Sequence, residues 1–167
     1  MKPFLFFVLV FCIVNFFFIS YTISAEPLYV KDPHNVEKWP IWPPRPLLKA
    51  LYAYADMTDP LLLARPAWYK SFMCLEVGFF GPFYALATYA ILKKKDWIRI
   101  PCIVYSCVML TKMWALLAEE LFGVTKSPMP LATLGEHIPW VFIPLALLVY
   151  MWRHEHPFAE EKKTKSH

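Results

Sequence analysis

Four stretches of the chain are apolar over lengths that match a lipid bilayer. The first, Leu5 to Ser24 (LFFVLVFCIVNFFFISYTIS), runs 20 residues without a charge, and at about 1.5 Å per residue a helix of that length crosses a hydrocarbon core of about 30 Å. Lys2 precedes the run and Ser24-Ala25 precedes Glu26, so a cleavable leader is the rival reading. Leader cores are usually only about 7 to 15 residues, shorter than this run. The second stretch, Phe72 to Leu92, carries one acid, Glu76, and stops at Lys93-Lys94-Lys95-Asp96. The third, Ile100 to Leu121, opens with Pro101, where a missing N–H costs nothing, and holds Lys112 with Glu119 and Glu120 near its far end. The fourth, Ile138 to Trp152, contains Pro139 and Pro144 and ends at Arg153; prolines are tolerated in membrane helices whose neighbours re-satisfy the freed carbonyls. The fold class predicted is all-α, a polytopic membrane protein built as a four-transmembrane-helix bundle. Residues 1–153 form the membrane domain, with helices at about 5–24, 72–92, 100–121 and 138–152, and residues 154–167 form a charged tail.

The connection 25–70 is rich in Pro and Trp (Trp39, Pro40, Trp42, Pro43, Pro44, Pro46), a composition that favours extended segments with indoles at the headgroup level. Within it, Pro46 to Asp56 reads as a short interfacial helix.

Composition agrees with the membrane reading. Hydrophobic residues make up 58% of the chain and charged ones 18%, against about 25% charged in soluble domains. Cys12, Cys74, Cys102 and Cys107 lie scattered in apolar runs with no CxxC spacing, so they read as small buried hydrophobes rather than a disulfide or metal framework. The five histidines (His34, His137, His154, His156, His167) fall in predicted loops and termini, and four glycines leave no room for a nucleotide loop. No cofactor, metal or nucleic acid is expected.

The net charge of +4 comes from short basic clusters. Nine of the 17 Lys and Arg residues (Lys2, Lys93, Lys94, Lys95, Arg99, Arg153, Lys162, Lys163, Lys165) fall on one side of the bundle, which predicts that both termini are cytosolic. Lys163 and Lys165 then stand five and three residues from the carboxyl end inclusive, the spacing of a dilysine ER-retrieval signal read by coat proteins. The bland alternative is a solvated basic tail.

Three residues carry the candidate chemistry. Glu76 lies about a turn inside the second helix, where an unpaired carboxylate is expensive and marks a pocket or a pair; snorkelling to the interface is the alternative. Asp59 precedes Pro60 and by itself reads as an N-cap. Lys112, near mid-depth, must pair with Glu76, Asp59 or Glu119.

Asp59-Pro60-Leu61-Leu62, then Pro66-Ala67-Trp68-Tyr69-Lys70-Ser71-Phe72 and Glu76, Ala87-Thr88-Tyr89-Ala90, Trp97-Ile98-Arg99, Pro101 and Tyr105-Ser106 together resemble the sigma-2 receptor family of the EXPERA superfamily, relatives of the emopamil-binding sterol isomerases. The resemblance is close from about Leu47 to Phe122. It implies an ER membrane bundle, a homodimer, and an intrabundle pocket for sterols and cationic amphiphiles. In the family, acids on the first helix and in the DPLL motif form the pocket's polar end, supported by the second-helix Glu. Asp59 and Glu76 match the second and third of those positions, which turns Asp59 from a cap into a ligand residue. Helix one has no Asp, and Glu26 is the nearest substitute. Trp140 corresponds to an aromatic wall. Lys112, with neighbouring Thr111, falls near positions where the family has small hydroxyl residues, so its ammonium is expected to act as a built-in cation.

Two functions follow from the resemblance. The first is an ER membrane protein that binds sterols or cationic amphiphiles, takes part in cholesterol homeostasis and contacts a sterol transporter. The second is a sterol Δ8–Δ7 isomerase in which Glu76, Asp59, Glu26 and Trp140 protonate a double bond and stabilise a carbocation. The lack of a His within the predicted spans, and of a second acid deep in the third, favours the binding protein.

Overall fold

The computed structural model of the chain describes residues 2–35 and 40–158; the retrieval lysines Lys163 and Lys165 and the indole of Trp39 lie outside them. All regular structure among the described residues is helical, and four helices are long and apolar enough to cross a membrane. These are α1 (Pro3–Tyr29), α4 (Ala67–Leu92), α5 (Asp96–Phe122) and α6 (Pro130–Arg153). Between α1 and α4 lie α2 (Arg45–Thr58) and α3 (Pro60–Ala64). Four crossings return both ends of the membrane domain to one side.

The helices begin and end beyond the apolar runs that signal them. α4 starts at Ala67 instead of Phe72, and α6 at Pro130 instead of Ile138. The reason is shared: hydropathy falls at the polar residues of the first turns, while the backbone is already helical from a Pro cap or a Pro in the first turn. The extra two turns of α6 bring Glu136 and His137 into a membrane helix, so the expectation that every His lies in a loop or terminus is corrected. α2 follows the interfacial helix read from the sequence, and it buries Leu48, Tyr52, Ala55 and Thr58, the spacing of one helix face.

The bundle is two helix pairs. α1 packs mainly on α4, and α5 mainly on α6. An aromatic cluster locks the pairs together: Phe83 stacks on Tyr105 with ring centroids 4.2 Å apart, and Phe80 and Tyr84 meet the same ring edge-on. The Tyr84 and Tyr105 hydroxyls share a hydrogen bond of 3.1 Å, which satisfies both polar tips inside the core.

Two wide turns sit opposite each other. α1 is wound as a π-helix over Asn15–Ile23, and α4 over Glu76–Phe80. Such turns recur at functional sites, because the extra residue per turn redirects side chains. Gly81 ends the second one, and an added methyl group there would lie 2.7 Å from the Tyr21 hydroxyl, so glycine permits the two segments to approach.

Candidate functional site

A cavity of about 230 Å³ opens between the two helix pairs. Its apolar wall comes from Ile19, Leu62, Met73, Met113 and Leu116, with Trp140 on the α6 side. Trp140 bridges the seam between α1 and α6. Its Nε1–H donates to Asn15 Oδ1 at 2.8 Å, and its ring lies against Phe11. Asn15 in turn donates to the Phe11 carbonyl at 2.8 Å, so this buried amide uses both of its ends.

Lys112 lines the cavity and is held from behind. Its Nζ is 2.5 Å from Glu76 Oε2, and the other Glu76 oxygen accepts from the Ser20 hydroxyl at 3.2 Å. The same ammonium lies over the Phe80 ring, 5.2 Å from its centroid. Of the three partners open to Lys112 in the sequence, the structure therefore selects Glu76. Glu119 instead accepts from the Thr125 amide and hydroxyl at the end of α5. Glu76 stands behind Lys112, outside the residues that line the cavity.

The other end of the cavity is acidic. Lys112, Leu116 and Glu120 are spaced by four residues along α5 and share a face, which carries Glu120 to the cavity's far end. The connection after α5 then folds back: Ser127 donates its amide proton to the Glu120 carbonyl at 2.7 Å and its hydroxyl proton to the Thr58 carbonyl at 2.5 Å. That pin brings the start of α6 beside Asp59. Asp59, Glu120, Glu136 and His137 all line this end. His137 Nδ1 lies 2.8 Å from the Thr133 carbonyl, 3.5 Å from Glu136 Oε1 and 3.6 Å from Glu120 Oε2. Tyr54 donates a short hydrogen bond to Glu136.

Asp59 caps a helix and also lines the cavity. One carboxylate oxygen accepts from the Leu62 amide at 3.1 Å and caps α3, and the side chain also faces the cavity. Burial pushes its carboxyl above the ordinary carboxylate range, against the pull of the Leu62 amide, and neighbouring Glu136 pushes the same way as burial. Burial and the bond to Glu136 likewise raise the Tyr54 phenol.

Two other candidates stand elsewhere. Glu26 is fully buried, but in a latch rather than the cavity wall: Arg65 Nη2 reaches it at 2.6 Å, and Tyr52 donates to it. Arg65 also bonds the Val30 carbonyl at 2.7 Å and the Leu62 carbonyl at 2.9 Å, from a left-handed backbone with φ of 47°. Glu26, read as a stand-in for a first-helix ligand acid, is thus paired with Arg65 and is not among the residues that line the cavity. Thr111 is exposed and gives its hydroxyl proton to the Cys107 carbonyl at 2.9 Å, because one residue before Lys112 is about 100° round the helix. The sequence reading missed Glu120, Glu136, His137 and Tyr54 as cavity groups. Thr133, Glu136, His137 and Trp140 sit at helical spacing, a signal available once α6 is extended to Pro130.

The sequence model of EXPERA, the expanded EBP superfamily, matches residues 46–151. Sigma intracellular receptor 2 of Homo sapiens is 33% identical over 156 residues, covering 86% of this chain and 81% of that protein. The Macaca fascicularis protein of that name matches with the same identity and coverage. The Xenopus tropicalis one is 29% identical over 164 residues, covering 92% and 96%.

Proposed function

The chain belongs to the EXPERA superfamily and within it to the sigma-2 receptor family, and from that premise we propose that it is a membrane receptor that binds sterols and cationic amphiphiles. The observation that carries the reading is the cavity between the helix pairs. It has apolar walls, one polar end neutralised by the Lys112–Glu76 pair and a second end lined by Asp59, Glu120 and Glu136. Apolar walls with a few convergent polar groups are the usual make-up of a small-molecule site. At about 230 Å³ the cavity is below the usual range of about 300 to 1,000 Å³. A sterol-sized body would extend through the seam that Trp140 bridges, toward lipid.

The wider role follows the same reading: residence in the ER membrane with both termini cytosolic, retrieval by coat proteins through Lys163 and Lys165, a part in cholesterol homeostasis, a homodimer, and contact with a sterol transporter. The cavity reading is tested with the purified protein in detergent and a radiolabelled sterol. Saturable binding at one sterol per chain, weakened about tenfold or more by a cavity-filling Met113→Trp, supports it. Binding that neither saturates nor responds to Met113→Trp overturns it.

One observation favours a second reading. His137 stands beside two carboxyls at the cavity, the combination of acid and base that a sterol Δ8–Δ7 isomerase needs to add a proton to one carbon and remove one from another.

A further inference from the structure

The outer face of α6 carries a groove of about 410 Å³ at its seam with α1, which shares no lining residue with the cavity between the helix pairs. Its shape follows from spacing. Phe142, Ala146, Tyr150 and His154 stand four residues apart, and so do Leu145, Val149 and Arg153, so two rows of side chains run side by side along the helix. Ala146 is the notch in the first row, and Phe4 of α1 supplies the facing wall, its ring 5.2 Å from that of Tyr150. From Phe142 to Arg153 the helix rises about 16 Å, half of a hydrocarbon core of about 30 Å. The groove is therefore as deep as one leaflet. Its walls are apolar, and its Arg153 end is basic. Arg153 and His154 line that end, and the Lys2 ammonium lies 5.6 Å from the Tyr150 ring centroid. The α6 carbonyls there have donors from the chain itself, which offset the negative end of the helix dipole. Arg99 Nε donates to the Met151 carbonyl at 2.9 Å, and the Tyr150 carbonyl accepts from the His154 amide at 3.1 Å and faces its Nδ1 at 2.8 Å. Of the acids at this end, Asp96 accepts from the Phe158 amide at 3.2 Å, and neither Asp96 nor Glu155 lines the groove.

We propose that this groove holds one anionic phospholipid from the leaflet on the side of the two termini, with its phosphate beside Arg153 and His154 and one acyl chain along Val149, Ala146 and Leu145 as far as Phe142. Charge complementarity selects the occupant. A guanidinium meets phosphate oxygens with two parallel N–H donors, and basic pockets between membrane helices take anionic headgroups. A zwitterionic lipid brings its own ammonium to the same cations, and a free phosphate leaves the apolar rows uncovered. The wall at the headgroup end is fixed without the lipid: Tyr150 stacks on His154 with ring centroids 4.4 Å apart and donates its hydroxyl proton to the Pro157 carbonyl at 2.7 Å. α1 packs mainly on α4 and α6 mainly on α5, so an acyl chain here fills a seam that the helices themselves close only lightly.

The test counts the lipid retained by the purified full chain in native mass spectrometry after titration with palmitoyl-oleoyl phosphatidylglycerol, with the matching phosphatidylcholine, or with inorganic phosphate. Arg153→Gln removes the charge, Val149→Trp fills the groove from an exposed position, and Lys93→Gln removes an exposed charge at the same membrane face outside the groove. The expected result is one phosphatidylglycerol per wild-type chain, retained about fivefold or more over phosphatidylcholine, and no retained phosphate. Arg153→Gln should lose about fivefold of that preference, the worth of one basic side chain at a membrane surface. Arg153→Lys, which keeps the charge without the planar fork, should recover part of it. Val149→Trp should lose the bound lipid, and Lys93→Gln should keep it. Equal retention of the two lipids by wild type overturns the proposal, as does retention of neither. An equal loss in Arg153→Gln and Lys93→Gln also overturns it, by showing a general surface attraction with no site, and so does phosphate that binds as well as the lipid.

Discussion

Lys112 Nζ stands 2.5 Å from Glu76 Oε2, with 7% and 1% of the two side chains exposed. The pair divides the cavity from the core behind it and settles which acid answers the lysine. Removing one partner strands the other in an apolar site, which typically costs about 3 to 5 kcal/mol. Lys112→Met should therefore lower the thermal midpoint in detergent sharply, and Lys112→Met with Glu76→Gln should regain most of the loss. A double variant no better than the single one would show that the two side chains do not act as a pair.

Glu26 and Arg65 make a structural latch that ties α1, α2 and α3 through one guanidinium. Glu26→Gln is expected to reduce stability by a few kcal/mol, while amine affinity measured below the unfolding temperature stays within about twofold of wild type. Affinity that falls while the thermal midpoint holds would return Glu26 to the ligand site.

The raised Asp59 carboxyl gives a pH dependence with a definite sign. Its folded-state value lies above its unfolded one, so the protonated form favours the fold, and the group's contribution to stability declines as pH rises through the folded value. Amine binding runs the other way, because the cation is held by ionised carboxyls. Affinity should climb as pH is raised above the ordinary Asp range of about 3.9, and Asp59→Asn should flatten part of that rise. A titration in which affinity falls as pH rises contradicts the assignment.

Trp140→Phe keeps the wall but deletes the Nε1 bond to Asn15, leaving a buried amide oxygen without its donor. The expected cost is about 1 to 3 kcal/mol, read as a lower thermal midpoint, together with weaker sterol binding. An unchanged midpoint would mean that water replaces the indole.

Much of the fold is legible in the sequence because lipid imposes a simple demand: runs of about 20 apolar residues become helices whose backbones satisfy themselves. All four crossings follow from that rule. The helix ends did not, since Thr133 to His137 is polar yet continues the helix begun at Pro130. That local miss hid half the site. Asp59 and Lys112 could be singled out because charge near an apolar run is conspicuous, whereas Glu120 and Glu136 look like ordinary helix-end residues until Ser127 pins the α5–α6 connection against Thr58. The pairing of Glu26 was hidden for the opposite reason. Its position along α1 suited a ligand acid, and its partner Arg65 lies 39 residues away, beyond what spacing reveals.

The most direct test of a receptor that binds without converting is to incubate the purified protein with a Δ8-sterol and analyse both the bound and the total sterol. The account expects one sterol held per chain and recovered unchanged at every time point. Accumulation of the Δ7 product in wild type, and its disappearance in Glu120→Gln and His137→Gln, would contradict it and make the acidic end of the cavity a catalytic centre.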